Sequence, residues 1–469
     1  MTFDLTIDGA GVTTAATIAV VDPSTGLAFA RAPNAGAAEL DLAVEAARRA
    51  FPSWRDAPAA ERRALVLHIA DVITANAAEL AELDMREGGK PRAVAGAVTA
   101  LAAQWAQGLA GLDLPVEVID DDPARRIEVH RVPVGVVGAV VPWNFPLLLS
   151  VWKLASALMA GCTVVLKPSP FAPLAVLRLG ALIRPLCPPG VINVVSGDDA
   201  LGPVMTAHDG FAKISFTGSS STGRRVMASA APTLKRLTLE LGGNDAAIVF
   251  PDADIDRVAQ AVFWSAMTNS GQACIATKRV YVHEAVYDRF AGAMRALATT
   301  ALAGPADREG VMLGPIQNMP QLARLRQLIE DCRSGSFGLH QGPVCDGGGY
   351  FFPATIVDDP PRHSRIVREE QFGPILPLLR FSSEAEAVAL VNDSDLGLTA
   401  TVWTDDMERA RRLARALEVG SVWVNEASAL SPLVPFGGHK QSGLGVENAR
   451  EGLLAYTNAK AVTLAAPAP

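Results

Sequence analysis

No Lys/Arg-rich block interrupts this 469-residue chain, and its net charge is -8. A nucleic-acid partner therefore has no electrostatic footprint to rest on. The N-terminus lacks a basic segment followed by a long apolar core. The apolar stretch from Ala15 to Val21 is too short for a signal or a span, so no membrane partner is expected. The five cysteines, at 162, 187, 274, 332 and 345, form no Cys-x-x-Cys pair and suggest no disulfide framework. Histidine and cysteine never cluster at ligand spacing, which argues against a metal site. These absences together read as a reduced, cytoplasmic protein. Internal repeats are lacking too, as is low complexity beyond the Ala-Pro tail. The Gly-x-Gly-x-x-Gly dinucleotide fingerprint after a first strand is also missing.

What is present is an ordinary globular balance, with 49% hydrophobic and 19% charged residues. The length exceeds what one hydrophobic core supports, so two or three domains are expected. Residues 1 to 35 read as short strands and turns, with Asp22-Pro23-Ser24-Thr25-Gly26 as a turn. Apolar residues at helical spacing run from Leu40 to Phe51 and from Ala60 to Asn76, and continue through Glu79 to Met85. Gly88-Gly89-Lys90-Pro91 breaks that pattern, and another helix is expected from about Ala93 to Leu109. Leu114 to His130 alternates weakly around Asp120-Asp121-Asp122. On residues alone it reads as a solvated surface hairpin.

From Val134 the pattern becomes strand, helix, strand. Val136 to Val141 is an apolar run interrupted only by Gly138, as expected of a strand buried on both faces. A helix is expected over Val151 to Ala160, a strand over Thr163 to Leu166 and a helix over Leu174 to Leu186. Further strands are expected over Val191 to Val195 and Ala212 to Phe216. Such alternation argues for a doubly wound parallel sheet. After Asn244 a second α/β pattern begins. Strands are expected at Ala246 to Phe250, Arg279 to Val282, Thr399 to Trp403 and Val422 to Asn425. Helices are expected at Ile255 to Met267, Ala285 to Ala301, Gln321 to Cys332, Glu384 to Asn392 and Met407 to Leu417. A Gly-rich loop, Pro435 to Gly443, and a closing strand, Ala455 to Leu464, follow.

One stretch carries concentrated chemistry: Thr268-Asn269-Ser270-Gly271-Gln272-Ala273-Cys274-Ile275-Ala276. A thiolate is the strongest ordinary protein nucleophile, and small neighbours would admit a carbonyl carbon to the sulfur. A lone cysteine is also at home as a small buried hydrophobe. Two upstream motifs change the balance: Leu239-Glu240-Leu241-Gly242-Gly243-Asn244 and Pro142-Trp143-Asn144-Phe145-Pro146. Together the three resemble the aldehyde dehydrogenase superfamily over essentially the whole chain. The resemblance includes Trp54-Arg55 and Glu87-Gly88-Gly89-Lys90-Pro91 near the N-terminus.

The resemblance implies an α/β fold with two doubly wound domains and a small β oligomerisation extension. It places an NAD(P)-binding domain at 1–113 and 134–242, and a catalytic domain at 243–445. Oligomerisation and bridging segments fall at 114–133 and 446–469, and a homodimer or homotetramer is expected. Phe216-Thr217-Gly218-Ser219-Ser220-Ser221-Thr222-Gly223 joins a strand to a predicted helix. Its glycines allow close backbone approach, and a helix N-terminus favours an anion. The resemblance assigns Ser219 to the pyrophosphate, Lys167 to the adenosine ribose and Glu370 to the nicotinamide ribose, with Phe372 beside the ring. It extends the cofactor set to Val141, Pro142, Trp143, Ser169, Pro170, Gly197, Phe216, Gly218, Thr222, Leu241 and Gly242. Two residues depart from the family pattern. Pro170 stands where many NAD-preferring members carry Glu, which leaves NADP as well as NAD open as the cofactor. Ser221 likewise stands where many members carry Glu.

An aldehyde needs a nucleophile before it can be oxidised, and the resemblance gives that role to Cys274. The thiohemiacetal oxyanion is assigned to the Asn144 side chain and the Cys274 backbone N–H. Glu240 is the expected general base for thioester hydrolysis, and its apolar neighbours Leu239 and Leu241 suggest a raised pKa. Lys153 and Glu447 match supporting positions for proton transfer. Met267 departs slightly from the family pattern, and a thioether there is tolerable. The substrate side is expected to include Phe145, Leu148, Trp152, Ala273, Ile275, Leu430 and Phe436. That lining is apolar, so aromatic or medium-chain aliphatic aldehydes are expected. A CoA-acylating relative is the alternative enzyme, disfavoured by Glu240. A non-catalytic binding or structural protein on the same fold is disfavoured by the presence of both Cys274 and Glu240.

Overall fold

The computed structural model of the chain describes residues 2–465, so the last four residues of the bridging segment expected at 446–469 lie outside the described residues. Two large, mainly parallel sheets carry the fold. In the first, the strand Val136–Val140 is central. Thr163–Lys167 and then Ile192–Val194 extend the sheet to one side; Lys213–Thr217 and then Arg236–Glu240 extend it to the other. These contacts are all parallel. Chain order therefore reverses at Val136–Val140, and the loops leaving its carboxyl end diverge. In open α/β sheets that divergence is the ordinary ligand crevice. Val136, Val137 and Ala139 are buried, and Gly138 is required by packing: a Cβ there would meet the Ile214 side chain at 2.7 Å.

The second sheet runs Gly338–Gln341, Thr355–Asp358, Ile375–Phe381, Arg279–His283, Ala246–Val249, Thr399–Trp403, Ser421–Val424. Every neighbouring pair is parallel except the first. A three-stranded sheet combines the hairpin Glu117–Asp122 and Arg125–Pro133 with the closing strand Thr457–Ala465. The short strand Gly443–Leu444 pairs antiparallel with Arg236–Glu240, so the loop that leaves the second sheet returns beside Glu240.

Most expected elements are present, and the differences have local causes. The helix expected from Val151 begins at Pro146, because proline at the first helical position starts a helix at no hydrogen-bond cost. The strands Thr355–Asp358 and Ile375–Phe381 are absent from the sequence reading, because Pro377 stands inside the second and Pro353 and Pro374 flank them. Arg236–Glu240 is a strand hidden within a motif, and Leu201–Ala207 is a short helix without a clear apolar period. The closing strand starts at Thr457 rather than Ala455, because Ala455 caps the helix Ala449–Leu454.

Candidate active site

Cys274 is delivered by a helix that stops abruptly. Asp254 caps its start by accepting from Arg257 N at 3.3 Å, and Ile255, Val258, Ala259, Val262 and Phe263 bury one face. At Thr268 the backbone turns extended, and three left-handed residues follow: Asn269 (φ 48°), Ser270 (φ 56°) and Gly271 (φ 73°). Left-handed non-glycine residues persist only where their surroundings fix them. Ser270 Oγ donates to Gly314 O at 2.8 Å, and Gln272 Nε2 donates to Asn269 O at 2.9 Å. Gly271 abuts the backbone of Gly373, beside Phe372, itself left-handed at φ 52°. Lys278, fully buried, donates from Nζ to the carbonyls of Ala273 and Ala276 and holds the far side of the loop.

The loop after Val136–Val140 meets this segment. Asn144 Nδ2 donates to Gln272 O at 3.0 Å, and Asn269 Nδ2 donates to Asn144 O at 3.2 Å. One N–H of the Asn144 amide and the Cys274 backbone N–H have no protein acceptor among the described residues. Glu240 ends the strand Arg236–Glu240, 4% exposed, with its Oε1 buried and unpartnered. Burial holds its carboxyl well above the ordinary carboxylate range; repulsion from Glu447 adds to this and Lys153 opposes it. Burial also pushes the half-buried Cys274 thiol well up, with the charges of Glu240 and Asp245 adding. Behind Glu240, Lys153 and Glu447 form a buried ion pair. Ser215 Oγ joins both partners, at 3.1 Å from Lys153 Nζ and 3.2 Å from Glu447 Oε1, and accepts from Tyr456 Oη at 3.1 Å.

These groups open into one cavity of about 730 Å³. That is ample for a cofactor's reactive end and a small substrate. All seven residues expected on the substrate side line it: Phe145, Leu148, Trp152, Ala273, Ile275, Leu430 and Phe436. Of the expected catalytic residues Cys274, Glu240 and Asn144 line it, whereas Lys153 and Glu447 stand behind its wall. Of the expected cofactor residues Pro142, Trp143, Gly218, Ser219, Leu241, Gly242, Glu370 and Phe372 line it. Val141, Lys167, Ser169, Pro170, Gly197, Phe216 and Thr222 do not. Val141 and Phe216 are strand-end positions buried in the sheet, at 1% and 6% exposure. The Phe216 ring lies against Gly218, where a Cβ would meet it at 2.5 Å. Thr222 sits in the first turn of the helix Ser220–Ala230, its N–H donating to the Ser219 cap at 3.3 Å. Lys167, Ser169, Pro170 and Gly197 gather at the carboxyl ends of the neighbouring strands. Lys167 Nζ donates to Gly197 O at 3.3 Å and to Pro168 O at 3.4 Å. Burial lowers the Lys167 ammonium to about 8, with Asp199 and Asp198 opposing.

The residues fit a dinucleotide. Ser219 caps a helix whose N-terminal N–H groups face an anion favourably. An ammonium has three N–H bonds, so Lys167 keeps one donor free for a ribose hydroxyl. Glu370 Oε1 accepts from Gly243 N at 3.1 Å, and Gly242 leaves room for its Oε2 where a Cβ would collide. Trp143 meets the Phe372 ring edge-on, with centroids 5.4 Å apart.

The sequence reading missed a wall of the cavity. Val98, Leu101 and Trp105 lie on one stripe of the helix Arg92–Ala110 and face Trp152. Trp105 stacks on Trp152 at 4.8 Å, and Trp152 meets Phe436 edge-on at 5.8 Å. Trp105 Nε1 donates to Asn448 Oδ1 at 2.8 Å, which fixes the ring. The i, i+3, i+7 spacing was the available signal, but it could not say which partner the stripe faces. A second cavity of about 740 Å³ opens among Phe51, Arg62, Arg131 and Pro133, and its lining contains no cysteine.

A thiol and a carboxyl share one cavity beside a sheet switch point and the N-terminus of the helix Ser220–Ala230, an arrangement that suits a dinucleotide-dependent oxidoreductase. The aldehyde dehydrogenase family profile matches residues 12–462, and the chain belongs to that family. Aldehyde dehydrogenase LUC3 of a Fusarium species is 41% identical over 447 residues, 95% of each chain. The succinate-semialdehyde dehydrogenase (NADP+) GabD of Escherichia coli K12 is 37% identical over 449 residues, 94% of this chain and 93% of its own. The NAD+ complex of a Bacillus cereus aldehyde dehydrogenase superposes with a TM-score of 0.96. It is 34% identical and is matched over 99% of this chain and 97% of that one. The protein is an NAD(P)-dependent aldehyde dehydrogenase.

Proposed function

We propose that the enzyme oxidises an apolar aldehyde, aromatic or medium-chain aliphatic, to its carboxylic acid. The observation that carries this reading is the aldehyde end of the cavity: Leu101, Trp105, Leu148, Trp152, Leu430 and Phe436 present no cation. The cavity's single cation, Arg324, stands with Glu370 and is already spent on Gln371 O at 3.0 Å and Glu369 at 3.2 Å. A substrate with a second carboxylate, such as the one named for GabD, would be buried here without a partner. Burying an unpaired charge costs several kcal/mol, on the order of magnitude given for unpaired ions.

In the reaction Cys274 loses its proton to solvent and its sulfur attacks the aldehyde carbon, forming a thiohemiacetal. Asn144, with one amide N–H already fixed on Gln272, keeps the other for the oxyanion, and the Cys274 N–H supplies a second donor. Lys167, Ser219 and Glu370 would hold NAD(P)+, which would accept the hydride whose loss turns the thiohemiacetal into a thioester. Glu240 takes a proton from water, whose oxygen attacks the thioester carbon. The carbon–sulfur bond breaks, the acid leaves, and Glu240 passes its proton to the departing sulfur, which restores the thiol. Lys153 and Glu447 act behind Glu240, through the charges that bias its proton affinity.

The test is a panel of benzaldehyde, hexanal, succinic semialdehyde and glutaric semialdehyde, each with NAD+ and NADP+. The first two should give the higher kcat/KM. A semialdehyde as the best substrate would refute the apolar assignment.

A further inference from the structure

Gln317 lies outside the cavity, yet its side chain is 3% exposed and fully committed. Nε2 donates to Glu87 O and to Phe171 O, each at 3.0 Å, and Oε1 accepts from Asn318 Nδ2 at 3.0 Å. Its backbone N–H donates to Gln272 Oε1 at 2.9 Å. Phe171 closes the turn that carries Ser169 and Pro170, its own N–H donating to Ser169 Oγ at 3.3 Å. The far side of that turn is fixed by Glu87, whose carboxylate accepts from Leu174 N at 2.6 Å and Ala175 N at 2.9 Å.

On the other side, Gln272 is fully buried and ties down the left-handed run before Cys274. Its Nε2 donates to Asn269 O, and its carbonyl accepts from Asn144. One unbroken chain of hydrogen bonds thus joins the Lys167–Phe171 turn to the nucleophile loop, and Gln317 is the residue in it that bonds both to Phe171 and to Gln272. A loop of left-handed residues has a nearby relaxed alternative and stays strained only while its anchors hold.

We propose that Gln317 is a positioning residue that couples occupancy of the Lys167–Phe171 turn to the reactivity of Cys274. An occupant of the turn holds the Phe171 carbonyl; Gln317 passes that restraint to Gln272, and Gln272 keeps the Cys274 loop in its strained, reactive shape. The proposal rests on the reading of Lys167 and Ser169 as the adenosine side of the cofactor site.

The probe is ADP, which lacks the nicotinamide half of the dinucleotide. Alkylation of Cys274 by iodoacetamide would be followed by peptide mass spectrometry, in the whole enzyme, free and saturated with ADP. ADP binding would be measured separately by calorimetry. In wild type ADP should change the alkylation rate by about fivefold or more, the lower range of ordinary site-to-site coupling. Gln317→Met, of similar length but without N–H donors, should bind ADP and show a rate that ADP does not alter. Gln317→Asn, one methylene short, should do the same. A merely structural role would lower the Tm of these variants and leave the ADP effect intact, and that result would overturn the proposal. So would ADP that binds wild type without changing alkylation, a measurement that needs no variant. Failure of wild type to bind ADP would instead overturn the reading of the turn, and the coupling with it.

Discussion

The Asn144 side chain donates to the Gln272 carbonyl at 3.0 Å, two residues before Cys274. That bond fastens the loop of the first sheet to the loop of the second, and it ties the Asn144 amide to the segment that carries Cys274. Burial raises both the Cys274 thiol and the Glu240 carboxyl above their ordinary values, and in the proposed reaction each must lose its proton to act. The deprotonated fraction of a raised group grows with pH. Both kcat/KM and kcat should therefore rise with pH, by up to about tenfold per unit below the pKa of the limiting group. A flat or acid-optimal profile would show that neither group limits the reaction.

Stability should carry a pH signature of its own. Burial raises Glu87 to about 8, against two helpful backbone bonds from Ala175 and Leu174. A carboxyl raised on folding binds more protons in the folded state, so its contribution is complete below the unfolded value of about 4.5 and is lost as pH rises towards 8. Glu87→Gln cannot ionise but offers one acceptor oxygen where Glu87 has two, so its Tm should lie below that of wild type at pH 5. Its relative Tm should rise steadily towards pH 8.5. A Tm difference independent of pH would mean that Glu87 does not titrate in this window.

Cofactor choice turns on Pro170. Selectivity against NADP usually needs a repulsive element, because NADP contains everything NAD offers plus a phosphate. Proline supplies none, and Lys167 keeps one N–H donor free. Wild type should use both cofactors, and Pro170→Glu should weaken NADP more than NAD by about 1–3 kcal/mol. KM values for both cofactors in both proteins decide this; a wild type inactive with NADP would show that other groups exclude the phosphate.

The chain should assemble with copies of itself. Among the described residues both outer edges of the three-stranded sheet are unpaired, and Val116, Val118 and Ile119 are exposed beside one of them. Open edges with apolar side chains call for covering. Light scattering should give a dimer or tetramer; a 49.1 kDa monomer at working concentration would contradict this.

The sequence disclosed more of the site than of its supports. Cys274, Glu240 and Asn144 were singled out because the motifs around them resemble those of the family, and all three line one cavity. The helix Ile255–Met267 was legible to the residue, because its apolar period is strong and Asp254 marks its start. Trp105, Gln317 and Ser215 were not, because their roles depend on contacts with residues far away in the chain: Asn448, Phe171 and Glu447. Nor does local pattern reveal the left-handed pair Asn269 and Ser270, whose conformation is held by Gly314 and Gln272.

The central claim is that oxidation passes through an acyl group on Cys274 that Glu240 helps to release, and one variant tests it directly. Glu240→Gln keeps the side-chain shape but cannot take the proton from water. The variant would be mixed with benzaldehyde and NAD+, quenched in acid and examined by intact-mass and peptide mass spectrometry, with NADH read in the same mixture. A benzoyl adduct on the Cys274 peptide, with about one NADH per chain followed by slow turnover, is the predicted result. Full wild-type turnover with no adduct on Cys274 would contradict it.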